Sequence, residues 1–444
     1  MAVDLPLLLR TNAFFAGTDR ERVGMEVELA AVDERTGRCV PYAGQRGLRR
    51  VLERVRDEWT GEASAESGYV TAVRRSDGAC VSLEMGGAIE YASPPADTVH
   101  DLATRLGRDL GGLAAMAAEY GVALLPGGNF PFNTSADITW LPRRRAELLK
   151  AHYARVAPHA GYEAMTLNLS AQVTLDYLGP VDLARKLRMQ ALVAPVVHAI
   201  LVNSPLFAGR PSGLLSRRMH QWQRAEPVRW GPLRAAWLAD DEIVAGFVDW
   251  AGRLPMIYRR ANGTYEPGPD LPFRDLVSER GMSSEQITEA WRQHLDQIWT
   301  DVRLRRTLEL RGADGPPAEA LPAVAALWAG LSYHRPSRAA ASGLLSRSTP
   351  RDYVSATGET KVAGLAATYG GRPMRELAVE IVRLARNGLE ERAAQGLEKP
   401  GAARLLEPLE EVVDSGLTYA ERTLRGWDGR CDRYVRHFRI KDSL

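Results

Sequence analysis

Four stretches place carboxylates at spacings that chemistry can use. In residues 302–314, VRLRRTLELRGAD, Thr307, Glu309 and Arg311 alternate with Leu308 and Leu310. A strand there puts a carboxylate and a guanidinium on one face and leucines on the other. Residues 23–32, VGMEVELAAV, set Glu26 and Glu28 against Val23, Met25, Val27 and Leu29 in the same way. In residues 81–92, VSLEMGGAIEYA, Glu84 and Glu90 stand an even number of residues apart, and the Gly86-Gly87 pair between them suits a bulge or a close backbone approach to a ligand. Residues 165–177, MTLNLSAQVTLDY, alternate throughout, with Asn168, Ser170 and Gln172 on the polar side.

Side by side in one sheet, these segments share a face carrying Glu26, Glu28, Glu84, Glu90, Gln172, Glu309 and Arg311. Like charges on adjacent strands repel, so something cationic belongs among the carboxylates. Carboxylate and amide oxygens are hard ligands suited to Mg²⁺ or Mn²⁺; without His or Cys beside them, zinc is disfavoured. Mg²⁺ held by few protein groups keeps substrate phosphates as further ligands, so the residues point to a nucleotide–Mg²⁺ site on an open sheet. The competing reading is a structural carboxylate–arginine network. No GxxxxGK[ST] and no helix-opening GxGxxG is present, which removes the P-loop and dinucleotide folds.

The elements that must position these groups make an α+β protein: an antiparallel sheet with one face on a helical core. Helices are predicted at 48–59, 97–120, from 143 onward, 182–202, 284–299, 324–331, 374–387, 402–415 and 419–427, and strands at 69–72 and 123–125 besides those above. Residues 81–92 are read as one strand paired to 69–72 across a turn at Ser76-Asp77-Gly78. The Arg143-Arg144-Arg145 triplet is read as a solvated helix face. Residues 209–232 read as a long ordered loop and 335–368 as the best candidate for a mobile segment; both are lid candidates. The chain is expected to be one catalytic domain over residues 1–444, mainly helical from about 322–444.

Composition bounds the partners. With 444 residues, 45% apolar and 25% charged, this is an ordinary globular chain long enough for a large core. A net charge of +2, from 57 basic and 55 acidic residues, steers it to neither nucleic acid nor membrane. Small-molecule substrates are the expected partners. Cys39, Cys80 and Cys431 are too few and too scattered for a disulfide framework, and the run at 5–9 is too short for a signal peptide, so the cytoplasm is expected.

Five motifs in order carry a resemblance. GMEVE follows G-x-E-x-E, LEMGGAIEYASPP follows LEPGG-x-x-ELSGAP, and SAQVTLDY follows T-V-Q-V-N-L-D; then come NSPLFAGRPSGLLSRRMHQWQRAEPVRWG and LELRGADGPP, close to E-x-RGAD-x-x-P. Over residues 20–427 the chain resembles the glutamate–cysteine ligases of plant and proteobacterial type and the related ligases that open the ergothioneine pathway. The resemblance implies a glutamine-synthetase-like fold, in which a curved antiparallel sheet forms an open funnel with helices on its outer face. It implies ATP and Mg²⁺ (or Mn²⁺), with Glu26, Glu28, Glu84, Glu90, Gln172 and Glu309 holding the ions. Arg311 would hold the donor carboxylate or the transferring phosphoryl group, and Arg218 and Arg229 the ATP phosphates; Arg311, Glu309 and Arg218 make the catalytic set. The implied reaction activates an amino-acid carboxylate as an acyl phosphate, which an amine then attacks to give an amide.

Departures from the family pattern are Val27, Leu29, Met85, Tyr91-Ala92, Thr174 and Glu226. They make a paralogue joining another acid to another amine the runner-up. A guanidine phosphotransferase would need a reactive loop cysteine, and a non-catalytic binder should have lost metal carboxylates. Neither fits these residues.

Overall fold

The computed structural model describes residues 4–441 except 232, 262 and 280. A nine-stranded sheet organises it. Its strands are β1 (Val23–Asp33), β2 (Glu62–Glu66), β3 (Tyr69–Arg74), β4 (Cys80–Leu83), β5 (Ile89–Ala92), β6 (Val122–Leu125), β7 (Ala171–Leu175), β8 (Val302–Leu304) and β9 (Leu308–Leu310). They lie in the order β8-β9-β7-β1-β5-β4-β3-β2, with β6 paired to the far end of β1. Every pairing is antiparallel. β1 therefore sits centrally, with β5 and β7 on either side of Glu26 and Glu28 and the late hairpin β8–β9 one strand further on.

Alternation decides which face is buried. Met25, Val27 and Leu29 of β1, Val81 and Leu83 of β4, Ile89 and Tyr91 of β5, Val173 and Leu175 of β7, and Leu308 and Leu310 of β9 all belong to one hydrophobic cluster. Each such side chain contributes roughly 1.5–3 kcal/mol by leaving water. The helices that cover this face are α1 (Leu48–Trp59), α2 (Val99–Ala118), α5 (Pro180–Leu201) and α7 (Leu321–Tyr333), with α3 (Arg144–Val156), α4 (Ala160–Thr166) and α6 (Arg217–Ala225) around the rim of the opposite face. Against α7 pack α8 (Arg335–Leu344) and α10 (Met374–Ala394), while α9 (Pro350–Ala363) lies against α5. α7 is buried along its whole length because Ala323, Ala325, Ala326 and Ala329 let neighbours approach on every side. Among the described residues no helix is long and apolar enough to cross a membrane.

Four sequence expectations need correction. Residues 81–92 are not one strand but the hairpin β4–β5, closed by Glu84 N–H donating to Ala88 O at 2.9 Å and Gly87 N–H to Glu84 O at 2.8 Å. Gly87 turns at φ +85°, and a Cβ on Gly86 would lie 2.1 Å from the Thr166 carbonyl oxygen, so this turn accepts only glycine at both positions. Residues 165–166 end α4 rather than start a strand; the Leu167 N–H closes its last turn onto Glu163 O at 2.9 Å. A helix of seven residues is too short for its period to show against a neighbouring strand's alternation. Residues 209–231 hold α6, which Ser216 caps by accepting from Met219 N–H at 3.2 Å; residue 232, the last of that predicted loop, lies outside the described residues. Residues 335–368, read as a mobile segment without predicted helix, are mainly helical: α8 and α9 span 335–344 and 350–363, the latter opened by a Thr349–Asp352 capping box.

Candidate active site

Register lines the carboxylates up. Glu28 on β1 stands directly opposite Glu90 on β5, which stands opposite Ser82 on β4. One step along, Glu26 stands opposite Gln172 on β7. Directly opposed like charges are destabilising, and among the described residues the side-chain hydrogen bonds to Glu28 and Glu90 come from neutral donors. Ser82 Oγ donates to Glu90 Oε1 at 3.1 Å, Ser170 Oγ to Glu28 Oε2 at 2.8 Å, and Gln172 Nε2 to Glu28 Oε1 at 3.1 Å. Burial first, then repulsion from Glu26, Glu84 and Glu28, lifts Glu90 well above the carboxylate range. Burial and Glu84 push Glu28 up to about 7. Burial and Glu309 raise Glu26, with Arg311 pulling the other way.

The neighbouring hairpin carries the compensating charge. Arg303 Nε donates to Glu309 Oε2 at 2.7 Å and Arg305 Nη1 to Glu309 Oε1 at 3.0 Å. Arg311 lies 3.6 Å from Glu309 and hydrogen-bonds Gln172 Oε1. Burial opposes the charge on Glu309, yet the three guanidinium groups overcome it and hold this carboxyl at about 2. Glu309 and Gln172, expected among the metal-holding groups, therefore spend their oxygens on arginine in this arrangement. The carboxylate–arginine network describes them better, while Glu26, Glu28, Glu84 and Glu90 stand apart from it.

These two banks face one cavity of about 400 Å³. Arg218 lines it from α6, its guanidinium donating to the carbonyl oxygens of Gly312 and Arg311, each at 2.7 Å. Arg143 and Arg145 also line it, correcting the reading of that triplet as solvated; only Arg144, paired with Glu147 at the surface, behaves that way. Arg143 is tied to Glu66 at 3.0 Å and to Leu83 O at 2.8 Å. Among the described residues the Arg145 guanidinium has neither a hydrogen bond nor an ion pair, and its Nε is fully buried. Burial opposes its charge, while Tyr258 and Glu84 nearby sustain it; a buried guanidinium with no acceptor on its N–H groups suits an anion entering the cavity. Trp222 and Trp299, ring centroids 5.6 Å apart, wall the space beside it with Tyr258 and Met85. Arg303 and Arg305 were legible in principle, since both lie on the polar side of V-R-L-R; Arg145 carried no local signal.

Arg229 does not reach the cavity. It is buried, with Nε donating to Glu226 Oε1 at 2.7 Å and Nη2 to Pro255 O at 2.5 Å, while His152 holds the other Glu226 oxygen at 3.0 Å. The assignment of Arg229 to ATP phosphates is corrected: it ties the loop after α6 to the body of the protein. Arg229→Ala is expected to cost about 3–5 kcal/mol by stranding Glu226, measured by urea denaturation, while leaving the ATP affinity of the folded fraction unchanged.

Among the described residues no three His, Cys, Asp or Glu side chains gather closely enough to enclose an ion as they stand. The donor set nevertheless suits a divalent cation. Three carboxylates of raised pKa share one wall with no guanidinium hydrogen-bonded to any of them, and a hard dication relieves that repulsion. Most departures from the family pattern lie elsewhere. Val27, Leu29 and Tyr91 face the core, and Glu226 serves Arg229. Met85 alone of them lines the cavity.

Comparison with known proteins gives the chain its relatives. The profile of glutamate–cysteine ligase family 2 matches residues 22–437. Glutamate–cysteine ligase B, chloroplastic, of Oryza sativa subsp. japonica is 30% identical over 423 residues, 94% of this chain and 81% of the relative. The chloroplastic glutamate–cysteine ligase of Arabidopsis thaliana is 29% identical over 421 residues, 94% of this chain and 78% of its own. A solved glutamate–cysteine ligase of Francisella tularensis in complex with AMP shares the fold at a TM-score of 0.57 and 10% identity, over 96% of this chain and 88% of that one.

Proposed function

The chain belongs to the glutamate–cysteine ligase family, and from that membership we propose that it joins the carboxylate of one amino acid to the amine of another at the expense of ATP. Glutamate and cysteine are the leading pair. The observation that carries the reading is one cavity with a bank of mutually repelling carboxylates on one side and a bank of arginines on the other. Attack of a carboxylate on the γ-phosphorus brings two anions together, and such a cavity is built to oppose that repulsion.

Glu26, Glu28, Glu84 and Glu90 are the groups that would hold Mg²⁺, which when bound screens phosphate charge and polarises the bond to be broken. Arg311, anchored between Glu309 and Gln172, offers its remaining N–H groups to the donor carboxylate or the transferring phosphoryl oxygens. Arg218 uses two of its five N–H groups on backbone carbonyls, leaving three for nucleotide oxygens. Arg145 is the proposed partner of a substrate carboxylate. The aromatic wall beside it excludes water from the acyl phosphate, which water would otherwise destroy. A funnel-shaped open sheet and the cytoplasm remain the proposed setting.

The second reading, a different amine or acid, is favoured by Met85, which replaces the proline of the family pattern at the cavity wall. One experiment separates them. The protein is incubated with ATP, Mg²⁺ and pairs drawn from a panel of amino acids, and ADP release and product mass are followed. ADP release with glutamate plus cysteine, giving the dipeptide mass, supports the leading pair. Release only with another pair moves the assignment to the paralogue, and no release with any pair defeats the ligase reading for this chain.

A further inference from the structure

Asp314, at the end of the RGAD motif, is buried, and three segments converge on it. Its Oδ2 accepts from Asn203 N–H at 2.9 Å and Ser204 Oγ at 2.7 Å, and its Oδ1 from Ser216 Oγ at 3.0 Å. Both serines serve α6 in turn. Ser204 Oγ accepts from Arg218 N–H at 3.3 Å, and Ser216 Oγ caps the helix at Met219 N–H. Gly128 lies against the carboxylate so closely that a Cβ there would be 2.4 Å from Asp314 Cγ. From the other side, Lys361 O at the end of α9 receives the N–H groups of Leu215 and Ser216 at 2.8 and 3.1 Å. The first turn of α6 is thus fastened to the strand end that carries Arg311, and the Arg218 guanidinium closes the ring on the Arg311 and Gly312 carbonyls.

We propose that Asp314 is a positioning residue: it acts on the reaction through Arg218, by fixing the start of α6 so that this guanidinium enters the cavity at one height and angle. This rests on the reading of Arg218 as a nucleotide-binding group. A merely structural carboxylate of this burial would lower stability without regard to Arg218. A positioning carboxylate must lose its effect on the ligand once Arg218 is gone.

The test is a double-mutant cycle on ATP affinity in Mg²⁺, read by calorimetry and by the ATP-dependent rise in Tm, neither of which needs turnover. Asp314→Asn keeps the shape and one oxygen for Asn203 N–H and requires the Ser216 hydroxyl to reverse; Ser204→Ala, which removes the hydroxyl that bridges Asp314 to the Arg218 N–H, is the second variant should the first fold poorly. Either is expected to weaken ATP binding about tenfold in the parent and less than about twofold in Arg218→Ala, with the same Tm loss without ligand in both backgrounds. Equal weakening in both backgrounds, or none in either, overturns the proposal. If Arg218→Ala itself binds ATP as tightly as the parent, the nucleotide role of Arg218 fails first and this inference falls with it.

Discussion

Glu28→Gln is expected to lower ATP turnover about a thousandfold while making the metal-free protein more stable at pH 8. Both effects follow from the same geometry. Glu28 faces Glu90 across the strand pair and is pushed up to about 7 by burial and by Glu84. Its folded pKa lies above the unfolded value of 4.5, so its contribution to stability is fully present below about 4.5 and is lost as pH rises through 7. Two to three units correspond to roughly 3 kcal/mol of strain at pH 8. Glutamine keeps the contacts, its oxygen toward Gln172 Nε2 and its amide toward the Ser170 hydroxyl, which can turn to accept, and it removes the strain. It also removes a hard anionic ligand, and a thousandfold loss of rate corresponds to about 4 kcal/mol of transition-state stabilisation. Urea denaturation in chelator at pH 4.5, 6 and 8 should show the variant gaining on the parent only as pH rises; added Mg²⁺ should stabilise the parent and leave the variant nearly unmoved. Turnover within tenfold of the parent, or a variant less stable at pH 8, would end the metal assignment for this side chain.

How much of this was legible beforehand depends on whether a residue's role is set by its own segment. Residues 23–32 showed their two faces because β1 is one regular strand, and Glu26, Glu28 and Glu90 do share the cavity. β9 was legible for the same reason. The hairpin at Gly86-Gly87 was half legible: the glycines marked an irregularity, but their need to pass the α4 backbone is a tertiary fact. Arginines were the least legible. Arg145, Arg218 and Arg229 all sit in polar surroundings of sequence, yet one faces the cavity unpaired, one faces it braced on carbonyls, and one is spent on Glu226. A long side chain's destination is fixed by what packs around its stem, and no local pattern encodes that. The segment 335–363 misled for another reason: its Ser, Ala and Gly content imitates a linker, whereas small residues there let α8 and α9 lie close against α5.

Glu309→Gln should be the most damaging single change in the sheet, with a pH dependence opposite to that of Glu28. The Glu309 pKa is depressed to about 2, so its contribution is present above the unfolded 4.5 and disappears as pH falls toward 2. At pH 7 the variant leaves Arg303, itself buried and lowered by burial and by Arg311, beside Arg305 and Arg311 with no carboxylate between them. Stranding buried charge in this way costs about 3–5 kcal/mol. The difference from the parent should shrink to nearly nothing at pH 2, which acid titration of the urea midpoint will read. Activity should fall at least about a hundredfold at temperatures where the variant is folded, because Arg311 keeps only Gln172 as an anchor and loses its fixed height. Adding Arg303→Met separates the two losses. An apolar side chain of similar length removes the most deeply buried of the three guanidiniums, so most of the stability should return, while the donor-binding defect should persist. Recovery of turnover along with stability would show that Glu309 only holds the hairpin together; recovery of stability alone leaves it as the group that aims Arg311 into the cavity.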